Sequence, residues 1–455
     1  MKQLMYVSFL ACVAALGGFL FGFDTAVISG ALRPLIQYFD LASHPALQGW
    51  LVSSVVLGSV IGALLSGYFA DRFGRKFTLV WVGILFLVSS IGAAASETFF
   101  MFSCFRLLAG IAVGIAAMVS PLYIAEVAPV AIRGRMVALN QFALTIGILI
   151  AYLSNNYIGG ALSDRLHATE SLFAGTEIWR IMLGTAAVPS LLFLLLLVPV
   201  PESPRFLMLA HKERAAYDLL CKLNGPTVAG EELRLIRSAS SGGAVSMADL
   251  VKPPLRSTTF IALYLAIVSQ LSGIDLVLHY GPLILERAGF SFVDSLGGQL
   301  AFGTVLVLFT LLAMWKVDTL GRRPLLFIGN AGICCTLLLI AYFFTDAAFS
   351  ETGLLIAISC FVACFAFSMG PIPWIVMAEL FPTKVRGQAM ALATFSLFGA
   401  NWVVAQLFPI SMEHLGEPAT FWLLALITLP TFFFVWKILP ETKGKALEEV
   451  PPNNP

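Results

Sequence analysis

The sequence predicts an all-α membrane protein, twelve transmembrane helices in two six-helix repeats joined by a cytoplasmic helical linker. Three observations carry that reading. First, hydrophobic residues make up 59% of the 455 residues and charged residues only 12%, with a mean hydropathy of +0.90. A soluble domain carries about 25% charged residues, so this chain lacks the polar groups to cover a water-facing surface, which excludes a soluble enzyme, a nucleic-acid binder and a disordered scaffold. Second, apolar stretches of about 20 residues, the length that crosses a bilayer, alternate with short polar breaks. Third, motifs recur between the halves. GYFADRFGRK at 67–76 returns as VDTLGRRP at 317–324, YIAEVAPVAIRG at 123–134 as VMAELFPTKVRG at 376–387, and PESPR at 201–205 as PETKG at 440–444.

Taken in order, the first half (1–199) holds spans at 7–31, 47–69, 77–95, 101–125, 136–156 and 179–199. The run after Met1-Lys2 continues through Gly17-Gly18-Phe19 to Asp24 without a small-x-small cleavage site, so it reads as a span and not as a signal peptide. Residues 200–257 hold EELRLIRS and a Ser/Gly run at 238–243. They are too charged to span and too helix-prone to be a tether. The second half (258–440) holds spans at 258–286, 297–316, 325–345, 353–380, 389–412 and 418–439, and 441–455 is a short tail. Most of the 27 Lys and Arg residues fall in loops on the side of the N-terminus; Arg33, Arg165, Arg180 and Arg287 fall on the other, and Arg106 lies within a span. The positive-inside rule then puts both termini and the linker in the cytoplasm. The seven cysteines form no C-x-x-C pair and have no His cluster near them, so they read as small packing residues and no metal site is expected. Parallel repeats place a substrate site near the midplane between the halves.

These motifs, with GFLFGFDTAVISG at 18–30, the D-R-x-G-R-K loop at 71–76, the R-G-R loop at 133–135, Gln270-Leu271-Ser272-Gly273-Ile274 and GPIPW at 370–374, occur in one order along the chain. In that order they resemble the sugar porter family of the major facilitator superfamily over essentially the whole length, and its bacterial xylose and hexose proton symporters in particular. The resemblance implies a secondary active transporter that imports a monosaccharide by proton symport through alternating access. It implies no cofactor beyond the coupling proton, a monomer surrounded by lipid in the inner (plasma) membrane, and neither enzymatic activity nor nucleic-acid partners. Two other readings stand beside it: a facilitative carrier of a sugar or a polyol such as inositol, and a transporter-like sugar sensor. Such sensors usually have long cytoplasmic tails, whereas this chain ends soon after PETKG.

Few ionisable residues lie well inside spans, chiefly Asp24, Arg106, Asp275 and His279, and charge at that depth is costly enough to mark function. At 1.5 Å per residue, Asp24 in the outward-running first span and Arg106 in the inward-running fourth both fall in the outer half. A carboxylate facing a guanidinium is held ionised, and takes a proton when the two part. The pair is therefore either a proton switch or a structural ion pair, and the switch predicts that Asp24→Asn abolishes uphill accumulation while equilibrative exchange continues. The resemblance favours the switch, because proton-coupled sugar porters carry Asp and Arg here and many facilitative ones have Asn. Aligning the halves sets Asp275 over Asp24 and Ser359 over Arg106. His279 follows Asp275 by one helical turn. The family usually has Asn and Tyr at these two positions; here both are titratable, and they either contact substrate and make recognition pH-sensitive or hydrogen-bond within the bundle.

The resemblance carries further pocket roles to Gln141, Gln270, Trp374 and Asn401, amides for hydroxyls and an indole for the apolar face of a sugar ring. Ser269, Leu306 and Leu397 depart from the usual amides, so the C-terminal half of this pocket is poorer in amides than a typical hexose carrier's. Tyr280-Gly281-Pro282 and Gly370-Pro371-Ile372-Pro373 are expected to interrupt the seventh and tenth spans as gates. Asp71, Arg75, Glu126, Arg133, Glu202 and Arg205 in one half, with Asp318, Arg322, Glu379 and Arg386 in the other, are expected to form ion-pair networks. The resemblance implies that these latch the outward-open state.

Overall fold

The computed structural model describes residues 2–129, 132–162, 177–240, 247–253, 255–345, 350–381 and 383–441, and among them the only regular structure is helix. The first half comprises α1 (Lys2–Tyr38), α2 (Pro45–Phe73), α3 (Arg75–Ala94), α4 (Phe99–Val127), α5 (Arg133–Tyr157), and α6 (Ile178–Gly184) followed by α7 (Ala187–Leu197). Three short helices follow, α8 (Pro204–Leu209), α9 (Glu213–Asn224) and α10 (Pro226–Ser240). The second half comprises α11 (Arg256–Leu271) with α12 (Ile274–Arg287), α13 (Phe292–Leu320), α14 (Arg322–Phe343), α15 (Glu351–Phe367) with α16 (Ile372–Leu380), α17 (Thr383–His414) and α18 (Glu417–Lys437). Twelve stretches of the described residues are long and apolar enough to cross a bilayer, and each overlaps a span read from the sequence. Helix is what the solvent demands, since backbone N–H and C=O groups in hydrocarbon find partners only within their own segment or in a closed barrel.

Within the first half α1 packs on α5 and α4, and α2 on α4; within the second α14 packs on α18 and α15, and α11 on α17. The halves meet through α2 with α17, α5 with α13, and α1 with α12. Lipid gives no hydrophobic drive to this packing, so close backbone approach at small residues supplies it. A Cβ on Gly22 would lie 2.0 Å from the Leu144 carbonyl, and one on Gly147 would lie 2.1 Å from that of Phe19, so α1 and α5 touch backbone to backbone. Outward-facing Leu64, Val188, Leu195, Leu426 and Phe433 are exposed and form part of the lipid-facing belt. Cys12, Cys104, Cys335 and Cys360 are exposed too, whereas Cys334 is buried, so only part of the cysteine set fills the interior. The described part of the polar stretch between the halves is largely helical, and α9 buries Ala216, Leu219, Leu220 and Leu223 against α10 and the beginning of α1.

Two spans are broken. The tenth breaks where α15 ends at Phe367 and α16 begins at Ile372, with Gly370 and Pro371 in the turn. The seventh breaks at Ser272-Gly273, where Gly273 takes φ 86°, a left-handed conformation that glycine adopts without steric cost. This corrects the expected break at Tyr280-Gly281-Pro282, because α12 runs unbroken through those residues with Pro282 inside it.

Candidate functional site

The residues that place charge inside the bundle converge near the contact between the halves. Arg106 Nη1 of α4 lies 3.1 Å from Asp24 Oδ1 and 3.2 Å from Oδ2 of α1, with side chains only 3% and 9% exposed. At such burial each charge depends on the other, because removing either partner strands a charge in a low-dielectric interior. Arg106 Nε is buried and has no hydrogen-bond partner.

In the second half, Asp275 sits in the first turn of α12 just after the Gly273 break, where the helix dipole favours negative charge. Asn401 Nδ2 of α17 donates to Asp275 Oδ2 at 2.5 Å. His279 is buried, and its Nδ1 lies 2.7 Å from the Asp275 carbonyl oxygen. A carbonyl only accepts, so Nδ1 carries the hydrogen, and in the neutral form of the ring Nε2 is a bare acceptor. Gln270 Nε2 donates to Ser269 Oγ at 3.3 Å, while its Oε1 is buried without a partner, an acceptor that a ligand hydroxyl would satisfy. Gln141 and Trp374 are half-buried, and their side chains make no hydrogen bond among the described residues. Asp24 with Arg106 and Asp275 with Asn401 are thus direct pairs. Gln141, Gln270 and Trp374 share no bond with them.

Prolines explain the polar contacts that tie the helices here. Pro282 has no N–H for the carbonyl four residues before it, and that Leu278 oxygen accepts from Tyr152 Oη of α5 at 2.9 Å and Gln299 Nε2 of α13 at 3.0 Å. Ser29 Oγ of α1 in turn donates to Gln299 Oε1 at 2.9 Å. Likewise Pro409 frees the Ala405 carbonyl in α17, and the fully buried Tyr280 donates to it at 2.9 Å. Sequence reasoning did not single out Ser29, Tyr152 or Gln299. Its available signal was polar side chains in the first, fifth and eighth spans combined with a proline four residues past an otherwise helical carbonyl.

On the face away from the N-terminus three contacts join the halves. Arg33 Nη1 pairs with Glu286 Oε2 at 3.0 Å, Ser53 Oγ donates to Gln406 Oε1 at 2.6 Å, and Gln406 Nε2 to the Ala46 carbonyl at 2.8 Å. On the basic face near the N-terminus, the described ion pairs join residues of the same half. Arg75 Nε lies 3.0 Å from Glu126 Oε2 and its Nη2 3.2 Å from Asp71 Oδ1; Arg322 Nη2 lies 2.8 Å from Glu379 Oε1. Glu202 accepts from the backbone N–H of Arg75 at 2.8 Å and of Lys76 at 3.1 Å. Glu441 does the same for Arg322 and Arg323, both at 3.0 Å. Arg205 is exposed, and Arg133 Nε reaches the Ala128 carbonyl at 3.4 Å. The side chains of Asp318 and Arg386 lie outside those described.

The chain matches the family model for sugar (and other) transporters over residues 10–453. It is 38% identical over 446 residues to the arabinose-proton symporter of Bacillus subtilis, covering 98% of this chain and 94% of that protein. It is 35% identical over 475 residues to the D-xylose-proton symporter of Escherichia coli, covering 98% and 95%. Among solved structures it is similar to the xylose transporter XylE of E. coli in a partially occluded inward-open conformation, with a TM-score of 0.84, 32% identity, and coverage of 97% of this chain and all of that one. It is also similar to the XylE proton:xylose symporter bound to 6-bromo-6-deoxy-D-glucose, with a TM-score of 0.82, 34% identity and 98% of both chains covered. With its two six-span halves, broken seventh and tenth spans and intramembrane ion pair, this chain is a multi-pass membrane protein that belongs to the sugar transporter family.

Proposed function

We propose that this protein imports a neutral monosaccharide together with protons by alternating access, working as a monomer in the plasma membrane with its basic face and both termini in the cytoplasm. The observation that carries the reading is the buried Asp24–Arg106 pair. A proton arriving from outside neutralises Asp24, releases its hold on Arg106 and lets α1 and α4 move; re-formation of the pair expels the proton on the other side. The arabinose-proton and D-xylose-proton symporters among its relatives support the same reaction. Gln141, Gln270, Asp275, His279, Trp374 and Asn401 are the proposed sugar contacts, with the Asp275 carboxylate accepting hydroxyl hydrogens that an amide would bind more weakly.

The bonds joining the halves on the face away from the termini fit a state closed to the outside. In the outward-open state the Arg75, Glu126, Arg322 and Glu379 clusters would approach one another and form the cytoplasmic latch. The test is uptake of labelled pentoses, hexoses and polyols into proteoliposomes with and without an inward proton gradient. Accumulation above equilibrium that a protonophore abolishes is expected, whereas equilibration indifferent to the gradient would make the protein a facilitator.

A further inference from the structure

Asp24 and Asp275 occupy corresponding places in the two halves and have unlike surroundings. Asp24 has Arg106 at 3.1 Å. Asp275 has the neutral Asn401 amide on Oδ2, and its Oδ1 is bonded to nothing among the described residues. Ser359, which corresponds to Arg106, turns its hydroxyl to the Leu355 carbonyl at 2.7 Å. Among the described residues the surrounding helices supply no counter-charge. From α1 comes Asp24, already paired with Arg106 of α4; from α5 comes the Tyr152 hydroxyl, bonded to Leu278; from α13 comes Gln299 and from α17 Asn401. On Asp275's own helix His279 spends its hydrogen on the Asp275 carbonyl. The other charged residues of α11, α12, α13, α15 and α17 stand near the helix ends, at Arg256, Glu286, Arg287, Asp294, Lys316, Asp318, Glu351, Lys384, Arg386 and Glu413.

We infer that Asp275 carries a second coupling proton, so that each sugar enters with two. Asp275 is half-buried here, and the start of α12 and the Asn401 N–H support its ionised form while water reaches it. When both gates close, that water leaves, and a carboxylate without a counter-charge is strongly disfavoured in the occluded bundle. A neutral sugar brings no charge to offset it. Protonation from outside, carboxylate plus proton to carboxylic acid, removes the cost; reopening inward restores water and the Asn401 bond, and the proton departs to the cytoplasm. The inference rests on the proposed symport of a neutral sugar. Under it, Asp24→Asn leaves one-proton coupling in place of abolishing uphill uptake.

The experiment is a reversal-potential measurement on the wild-type protein in proteoliposomes at equal pH on both sides, with a tenfold sugar gradient opposed by a potassium diffusion potential. Zero net flux at about 59 mV means one charge per sugar and at about 30 mV means two. The expected result is the lower value for the wild type and the higher for both Asp275→Asn and Asp24→Asn. Because the reading is thermodynamic, altered rate or affinity in the variants leaves it intact. A wild-type value near 59 mV overturns the second proton while upholding symport, and a flux indifferent to voltage overturns symport itself. A wild-type value near 30 mV that Asp275→Asn leaves unchanged places the second proton elsewhere and overturns the assignment.

Discussion

Glu202 and Glu441 stand in PESPR and PETKG, and the sequence marks Glu202 only as an acidic partner in an ion-pair network. Their carboxylates in fact cap helices: Glu202 accepts from the first backbone N–H groups of α3, and Glu441 from those of α14. The preceding glycines make this possible. Gly74 and Gly321 take φ 99° and 91°, and a Cβ on either would meet the capping carboxylate, at 2.3 Å from Glu202 Oε2 and 2.8 Å from Glu441 Oε2. A helix start leaves unpaired N–H groups, and losing a side-chain cap costs about 1 kcal/mol. Glu202→Ala is therefore expected to lower the melting temperature in detergent, and Glu202→Gln, which keeps an acceptor, to lower it less. Equal melting of all three proteins would contradict the cap. The motif was legible as a repeated charge; its role was not, because it depends on a backbone conformation that no residue spacing reports.

Among the elements, the broken spans were only half legible. The Gly370-Pro371 interruption appeared where expected, whereas Pro282 stayed inside a continuous α12 and the break fell at Gly273. A proline in a membrane helix need not break it when a neighbour satisfies the carbonyl it frees. For Leu278 those neighbours are Tyr152 and Gln299, and Tyr152 belongs to the other half of the molecule. Opening the face away from the start of α1 must break that bond. Tyr152→Phe removes the donor, and loss of about 1 kcal/mol moves the closed-to-open equilibrium about fivefold toward the outward-open state. Spin labels at the exposed Glu97 and Glu351 would report this as a larger population at long distance. An unchanged distance distribution would show that the bond does not hold the gate.

At the scale of the whole molecule, the repeat was the feature best read from sequence, since it gave two six-span halves with a site between them. What it did not give is how the halves grip each other, because Ser29, Ser53, Tyr152, Gln299 and Gln406 belong to no recurring motif and act through partners far away in the chain. Gly49 in α2 shows how tight that grip is. A Cβ there would lie 2.5 Å from the Gln406 carbonyl and 3.2 Å from its Nε2, so a larger side chain cannot enter while α2 and α17 stay together on this face. The rigid partner is backbone, which does not yield as the end of a flexible side chain would. Gly49→Leu should therefore wedge the halves apart on this face and hold the protein outward-open. Sugar should still bind, because the proposed contacts around Asp275 and Gln270 are untouched, but a rocking cycle that cannot close to the outside cannot deliver substrate. The expected outcome is sugar affinity by calorimetry within about threefold of the wild type, with uptake reduced at least a hundredfold, a gap of about 2.7 kcal/mol on the closing step alone. Uptake near the wild-type rate would mean that α2 and α17 separate less in the cycle than this contact requires.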